Sequence, residues 1–577
     1  MFYRHKYKSM LFSSTLTMAM TYLMLLVNNI VAGIFIGPTG VAAINIVSPL
    51  IGAVNFISIC VSVGVAILYT RAIGEMRRDR ADKLYGMGLI VSAMLAVLSV
   101  FVLLCIEKLY FTSTGVDSEL IVLSEEYYSF LPLNSAVLII ASYMEEMVYA
   151  DGDGLLVPFS YVARIGGNIL LSILFVHVMG IKGIMLGTLL GNTFALATLL
   201  MHYFRKSNTL HFVFFFKWQS LLECIKYSIT DGITYLLWGF ADYCLIAYIS
   251  RRFGKEYLVV LAVTMAVIEL AVMFDGIGMA IQPLLGVYFG EKNHLLIRRL
   301  MKDAIDTAVI EGAIGSILLF FLAGLFVRLF GIEDMTLYEP AVSAVRIMST
   351  SLIATSLFML MTSYYLYMDH VEISVCAIIL RDGILYILLP ILFAKFMGVN
   401  GIWTGFALAP VAGLMIAMLI VRIRVGKKAF PAMLDSMENE ITVYDIVLTP
   451  ENMTDVSEKI QNNLKGKGYL GDAAMKAGLF AEEIGATIRE KNGDKKVLVE
   501  YSLLFDKSAP GEDGSDKEKE SVRLVIRDTG TVFDITDPEL EISGLSSFVI
   551  NGLLNAQKEK DYIPTTGYNR NVIRLYK

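Results

Sequence analysis

The chain has 577 residues, 56% of them apolar and 18% charged, against roughly 45–50% and 25% in soluble domains. Its formal net charge of −6 sums two unlike parts: charges are sparse from Leu11 to Val421 and common from Pro431 onward. There is no basic face of the kind nucleic acid requires, and Cys60, Cys105, Cys224, Cys244 and Cys376 lie in or beside apolar segments, with neither metal spacing nor a secreted disulfide framework.

Arg4, Lys6 and Lys8 precede an apolar run that continues to about Ile36. That run is too long for a signal peptide and long enough to span a bilayer. Further candidate spans fall near 44–70, 85–106, 128–149, 157–178, 181–203, 225–249, 257–287, 304–329, 341–367, 374–396 and 399–422. The pattern predicts an all-α polytopic membrane protein with twelve transmembrane helices in two six-helix repeats, and a separate C-terminal α/β sandwich. Boundaries are expected at 1–220 for the first lobe, 221–430 for the second and 431–577 for the tail. Basic residues follow the even-numbered spans: Arg71, Arg77, Arg78, Arg80 and Lys83; Arg205, Lys206 and Lys217; Lys292, Arg298, Arg299 and Lys302; Arg422, Arg424, Lys427 and Lys428. By the positive-inside rule both termini are expected in the cytosol of a cell whose cytoplasmic membrane holds the bundle. Arg251, Arg252 and Lys255 are the exception.

Two turns are duplicated. Met179-Gly180-Ile181-Lys182-Gly183-Ile184, with Gly187 following, is matched by Met397-Gly398-Val399-Asn400-Gly401-Ile402, with Gly405 following. Each lies downstream of an intramembrane arginine, Arg164 or Arg381. A second pair ends in Gly-Glu, at Gly74-Glu75 and at Gly290-Glu291. Duplicated membrane bundles usually bind substrate between their halves.

Three stretches carry a family resemblance: Asn28-Asn29-Ile30-Val31-Ala32-Gly33-Ile34-Phe35-Ile36-Gly37, the span ending at Gly74-Glu75, and Tyr149-Ala150-Asp151-Gly152-Asp153-Gly154 with Pro158. Over roughly residues 10–425 the chain resembles the multidrug and toxic compound extrusion (MATE) family. The resemblance implies export of organic cations in exchange for sodium or protons, by alternating access of two lobes. Ala32 stands where related first helices often carry an aspartate.

Ionisable residues at membrane depth are functional candidates by default. Glu145, Glu146 and Glu311 lie near span ends, where they are expected to reach water. The second half is richer. Asp231 and Asp242 share a face of the seventh span, roughly 16 Å apart along its axis. Glu269 lies mid-span in the eighth, and Asp275 and Gln282 follow with Gly276, Gly278 and Pro283 among them. Such carboxylates suit proton exchange or sodium binding, with Asp242 and Glu269 the candidate sodium pair. Arg381 and Asp382 are neighbours that need not pair, since adjacent helical residues point about 100° apart. Arg164 and Asn168 are their first-half counterpart, as an interhelical clamp or as part of the substrate site. Asn28 and Asn29 are uncharged polar candidates. Trp238 and Tyr235 are candidate aromatic contacts for a cation.

In the tail, residues 441–448, 496–506, 521–528 and 571–576 read as strands, and 453–465, 472–491 and 545–557 as helices. Glu482-Glu483-Ile484-Gly485-Ala486-Thr487, Arg527-Asp528-Thr529-Gly530 and Gly544-Leu545 with Gly567-Tyr568-Asn569-Arg570 are similar to the boxes of the histidine-kinase-type (GHKL) ATPase fold used by anti-sigma-factor serine kinases. That resemblance implies an ATP and magnesium site involving Glu483, Thr487, Asp528, Gly530 and Gly544, with Glu483 as catalytic base if the tail is active. Thr487 replaces the family's magnesium-binding asparagine, and Ser546 the second glycine of the phosphate loop, which points to binding without turnover or to a pure interaction module.

The reading is a secondary efflux transporter with a regulatory cytosolic tail. Its partners are then the lipid bilayer, small organic cations and a cytosolic regulatory protein at the tail, with no nucleic acid. Two alternatives stand beside it: a membrane-tethered signalling protein with a serine-kinase or anti-sigma-like tail, and a lipid-linked oligosaccharide flippase. An ATP-driven pump would need a Gly-x-x-x-x-Gly-Lys-Ser/Thr loop, which the sequence lacks.

Overall fold

A computed structural model describes residues 2–113, 118–205, 208–254, 256–329, 332, 335–426, 433–434, 441–493, 495–509, 519–531, 533, 560–562 and 568–576. The first half contains α1 (Phe2–Phe35), α2 (Pro38–Gly74), α3 (Arg78–Ser113), α4 (Ser118–Tyr128), α5 (Leu131–Ala150), α6 (Leu156–Met179) and α7 (Ile181–Leu200). The second contains α8 (Trp218–Arg252), α9 (Tyr257–Ala271), α10 (Asp275–Gly290), α11 (His294–Leu329), α12 (Met335–Ser349), α13 (Leu352–Tyr367), α14 (Val371–Ile378), α15 (Tyr386–Met397) and α16 (Val399–Arg424).

The expectation of twelve spans is not met. Among the described residues nine helices are long and apolar enough to cross a membrane, or ten if residues 336–349 and 352–367, bent by 46°, form one span. Of the remaining candidates, α1 includes side chains outside the described set. The 20-residue α5 carries Asn134, Ser135, Glu145 and Glu146, which dilute its apolar character. The expected eighth span is α9 and α10 joined by a 3-10 turn at Val272–Phe274, just ahead of the glycines expected to loosen it.

The duplicated turns have one conformation each. Gly180 and Gly398 cap α6 and α15 at φ 64°, ψ −142° and φ 61°, ψ −141°, a left-handed geometry that costs glycine little. A Cβ on Gly183 would strike the Phe175 backbone, and one on Gly401 the Phe393 backbone, so both pairs of helices pack at backbone distance. At the Gly-Glu corners Glu75 and Glu291 cap α2 and α10, and Met76 and Lys292 follow with φ 62° and φ 60°.

The apolar core divides unevenly. One cluster holds Val27, Ala32, Val47, Tyr127, Val176 and Ile181 of the first half. Another holds Leu245, Val267, Tyr386, Ala394, Ile402 and Trp403 of the second. The largest draws on both, joining Val65, Tyr69 and Met147 to Leu284, Tyr288, Met301 and Tyr364, and reaching Tyr568 of the tail. The halves therefore share a core at the tail-side end and have separate cores at the other.

At the shared end α2 crosses α10. A Cβ on Gly74 would meet the Val287 carbonyl, and one on Gly290 the Arg71 carbonyl. Arg71, read from the sequence as a loop cation, is buried there. It donates Nη1 to Tyr227 Oη at 2.7 Å and Nη2 to the Tyr367 carbonyl at 2.5 Å, tying α2 to α8 and α13.

The tail is a five-stranded antiparallel sheet in the order β1-β2-β3-β5-β4, built from Ile441–Val447, Leu498–Ala509, Lys519–Asp528, Lys560–Tyr562 and Asn569–Tyr576 taken as β1 to β5 in chain order. Helices α17 (Pro450–Gly466) and α18 (Gly471–Asn492) pack on one face through Val456, Ile460, Phe480, Ile484, Leu503, Leu524 and Ile526. The helix expected at 545–557 lies outside the described residues.

Because the α2–α10 crossing has no room for a side chain, Gly290→Ala is expected to destabilise the protein by about 1–3 kcal/mol through overpacking. Gly166→Ala, which meets nothing within 4 Å, is expected to leave stability unchanged. Thermal unfolding in detergent, followed by size-exclusion fluorescence, separates the two.

Candidate functional site

Each half has a polar centre. In the first, Asn28 on α1 donates Nδ2 to Tyr127 Oη at 3.2 Å and to Thr188 Oγ1 at 3.1 Å. It accepts from Asn168 Nδ2 at 3.0 Å, and Ser172 Oγ donates to Asn168 Oδ1 at 2.7 Å. Asn192 Nδ2 reaches Asn134 Oδ1 at 2.8 Å. Ala32 is fully buried in the apolar cluster next to this network, so the first helix brings amides and no carboxylate. Asn29 is separate from these bonds, and its buried Oδ1 has no partner.

Arg164 pairs with Glu145. Its Nη2 lies 3.2 Å from Glu145 Oε2, with both side chains nearly buried, and its guanidinium stacks 4.7 Å from the Tyr161 ring centroid. This corrects the reading of Glu145 as a group reaching water from a span end. The missed signal was the need of a buried arginine, which cannot lose its proton, for a counter-charge.

In the second half Arg381 and Asp382 do pair, contrary to the expectation for helical neighbours. Nε and Nη2 of Arg381 donate to Oδ1 and Oδ2 of Asp382 at 2.6 and 3.0 Å. The cause is local: Ile379–Leu385 is a π-helix, a wider coil that breaks the ordinary angular spacing and recurs at functional sites. Arg381 also lies over Phe358 at 4.2 Å and Tyr386 at 5.8 Å. Its Nη1 is buried without a partner, as is Trp238 Nε1. Both residues line one small cavity with Ser351, Thr355, Met348, Met359 and Tyr386. Two donors without acceptors, on residues that line one cavity, suit a ligand or a water that brings lone pairs.

Asp275, in the first turn of α10, lies within electrostatic reach of Arg381. Gly278 gives close access to Ser363, and Gln282 is half-buried one turn further on. Glu269 is exposed and Asp242 half-buried, and the two lie within electrostatic reach of each other. The structure thus sorts the second-half candidates into an Arg381–Asp382–Asp275 group and an Asp242–Glu269 pair. The side chains of Asp231 and Tyr235 lie outside the described residues. Among the described residues no group of three or more His, Cys, Asp or Glu is placed to hold a metal ion, so sodium at Asp242 and Glu269 would need carbonyl oxygens as further ligands.

Two of the tail-box residues are engaged by the fold itself. Thr487 is buried and donates Oγ1 to the Glu483 carbonyl of its own helix at 2.9 Å. Asp528 Oδ1 accepts from Asn569 Nδ2 and from Gly530 N, both at 2.9 Å, and burial pushes its carboxyl up to about 6. Glu483 is half-buried on α18, and Gly544 lies outside the described residues. Sequence reasoning missed the opposite sheet face, where Arg523 and Arg527 alternate with Val522, Leu524 and Ile526. That alternation is the period of a strand buried on both faces.

The Arg381–Asp382 pair is expected to be worth most when broken on one side. Asp382→Ala is expected to lower stability by roughly 3–5 kcal/mol, because it strands a buried cation. The double replacement Arg381→Met with Asp382→Ala is expected to recover part of that loss. A double-mutant cycle on thermal unfolding measures the coupling.

Residues 14–174 and 229–392 match the MatE family profile, one stretch in each half. No curated protein matches the chain. Among solved structures, a MOP superfamily transporter from Pyrococcus furiosus, described as having a binding pocket of reverse polarity that suggests a different function, aligns at TM-score 0.67 and 20% identity over 73% of this chain and 95% of its own. An outward-facing multidrug resistance MATE family transporter aligns at TM-score 0.68 with the same identity and coverage. A MATE structure in a bent conformation aligns at TM-score 0.67, again with 20% identity over 73% and 95%. At that identity the likeness is one of fold, and it agrees with the family match that spans both halves: the chain belongs to the MatE family.

Proposed function

We propose that the bundle is a secondary transporter that moves small organic substrates out of the cell in exchange for protons or sodium, by alternating access between its halves. The observation that carries this reading is the division of the core. The halves fuse at the tail-side end through α2, α10 and Arg71 and keep separate cores at the other end, as expected of a bundle open on one side. Family membership supports transport as the activity.

The carboxylates Asp242, Glu269 and Asp275 support a cationic substrate and a reading in which ion coupling belongs to the second half. Asp242 and Glu269 are carboxylates at membrane depth that stand apart from the Arg381–Asp382 pair, and Asp275 lies beside Arg381. The first half contributes the neutral Asn28–Asn168–Thr188 network, which is suited to orienting a substrate by hydrogen bonds. The basic residues near the tail-side end favour the cytosol for that end, and thus an outward-open bundle in a cytoplasmic membrane.

The tail reads best as a regulatory domain without turnover. An ATPase-like site would place a magnesium ligand at Thr487, whose hydroxyl is committed to its own helix. Calorimetric titration of the full chain with ATP and magnesium is expected to show no hydrolysis heat; steady hydrolysis would overturn this part of the reading.

Transport itself is tested in proteoliposomes, with a fluorescent organic cation followed under an imposed proton or sodium gradient. One gradient is expected to drive movement, and Asp242→Asn or Glu269→Gln to slow it at least tenfold. Movement under neither gradient would remove the antiporter reading. Wild-type rates in both variants would move coupling elsewhere.

A further inference from the structure

The tail sheet has two working faces. Val522, Leu524 and Ile526 of β3 point at α17 and α18, while Arg523, Val525 and Arg527 point at the bundle. Arg570 on β5 donates Nη1 to the Ile73 carbonyl at 2.6 Å and Nη2 to the Gly74 carbonyl at 3.0 Å. These are the last carbonyls of α2. Arg523 Nη2 donates to the Glu291 carbonyl at 2.9 Å, the cap of α10. The Glu291 carboxylate pairs with Arg527 and lies 3.0 Å from Arg570 Nε. Arg527 Nη1 also reaches Glu500 Oε1 at 2.5 Å. Glu291, Glu500, Arg527 and Arg570 are all fully buried.

Three guanidinium groups meet two carboxylates here, and the remaining positive charge rests on two helix C-termini, whose orphan carbonyls and dipoles favour cations. Arginine keeps its charge even when buried. Separating the tail from either helix would therefore leave a buried charge unpaired unless water replaces the lost partner. The two helices are equivalent elements of the two repeats, and they belong to opposite halves. An apolar contact of Met76 with Leu504, Val525 and Val572, and the edge-on packing of Phe2 against Tyr568, extend the same interface.

We propose that the tail is an intramolecular clamp. By holding Gly74 of the first half and Glu291 of the second on one sheet, it keeps the tail-side end shut, and the bundle must shed at least one of these contacts before that end opens. The inference rests on alternating access as the mode of the bundle and adds the element that regulates it. Arg71 holds the same end from within the bundle; the clamp acts from outside it.

The test uses the full chain with its five cysteines replaced and spin labels at Val178 and Phe396, which are 82% and 80% exposed. They lie beside the duplicated turns, at the end away from the tail. Electron–electron resonance is expected to give one long distance for the parent protein, and an added shorter population in Glu291→Gln and in Arg570→Lys as that end closes. An unchanged distribution in both variants would overturn the clamp. A second measurement does not depend on those variants folding. A disulfide between Met76→Cys and Val525→Cys is expected to abolish gradient-driven export when oxidised and to restore it on reduction; equal rates in both states would count against the clamp. If no form of the protein transports but the distances shift as expected, the transporter reading falls and the clamp stands.

Discussion

The approach of α2 to α10 sets the rest of the structure. Gly74 and Gly290 bring two helix backbones together at a distance no side chain would permit. That contact lies where the halves share a core, while away from it each half has a cluster of its own. It also brings two helix C-termini side by side, concentrating partial negative charge where the tail arginines gather. A larger residue at either glycine would separate the helices, and the buried charges around Glu291 would then face water in place of one another.

Buried charge is the second organising constraint. Arg164 with Glu145, Arg381 with Asp382 and Glu291 with Arg527 are nearly or fully buried pairs. Pairs of this kind add little net stability but penalise any arrangement that splits them. They therefore serve better to select among packings than to strengthen one. The first ties α5 to α6 in the first half, and the second lies within one π-helical segment of the second. The third joins a half to the tail.

Much of this was legible in the sequence where the signal was local. The Met-Gly turns at 179 and 397 announced a repeat, and their glycines adopt the same left-handed geometry. The strands and paired helices of the tail followed from period and composition. What was not legible depends on partners distant in the chain. Glu145 looked like a group at a span end because Arg164 lies on another helix. Arg381 and Asp382 looked like neighbours that need not pair because ordinary helical spacing was assumed where a π-helix occurs. Arg71 looked like a loop charge because Tyr227 and Tyr367 of the opposite half, which engage it, lie 156 and 296 residues away. The span count failed for other reasons: residues 336–349 and 352–367 are bent against each other, which is a feature of packing, and the polar load of α5, visible in the sequence, was passed over.

The place of β5 in the sheet has a consequence for biogenesis. In space it lies between β3 and β4, inside the sheet, yet Arg570 is synthesised after every helix of the bundle. Helices enter the membrane as the ribosome delivers them, and domains form in the order of their synthesis. The bundle must therefore insert and pack while the sheet still lacks β5 and Arg570. A newborn molecule passes through a stage in which its halves are joined only by their own contacts, and it acquires its restraint last.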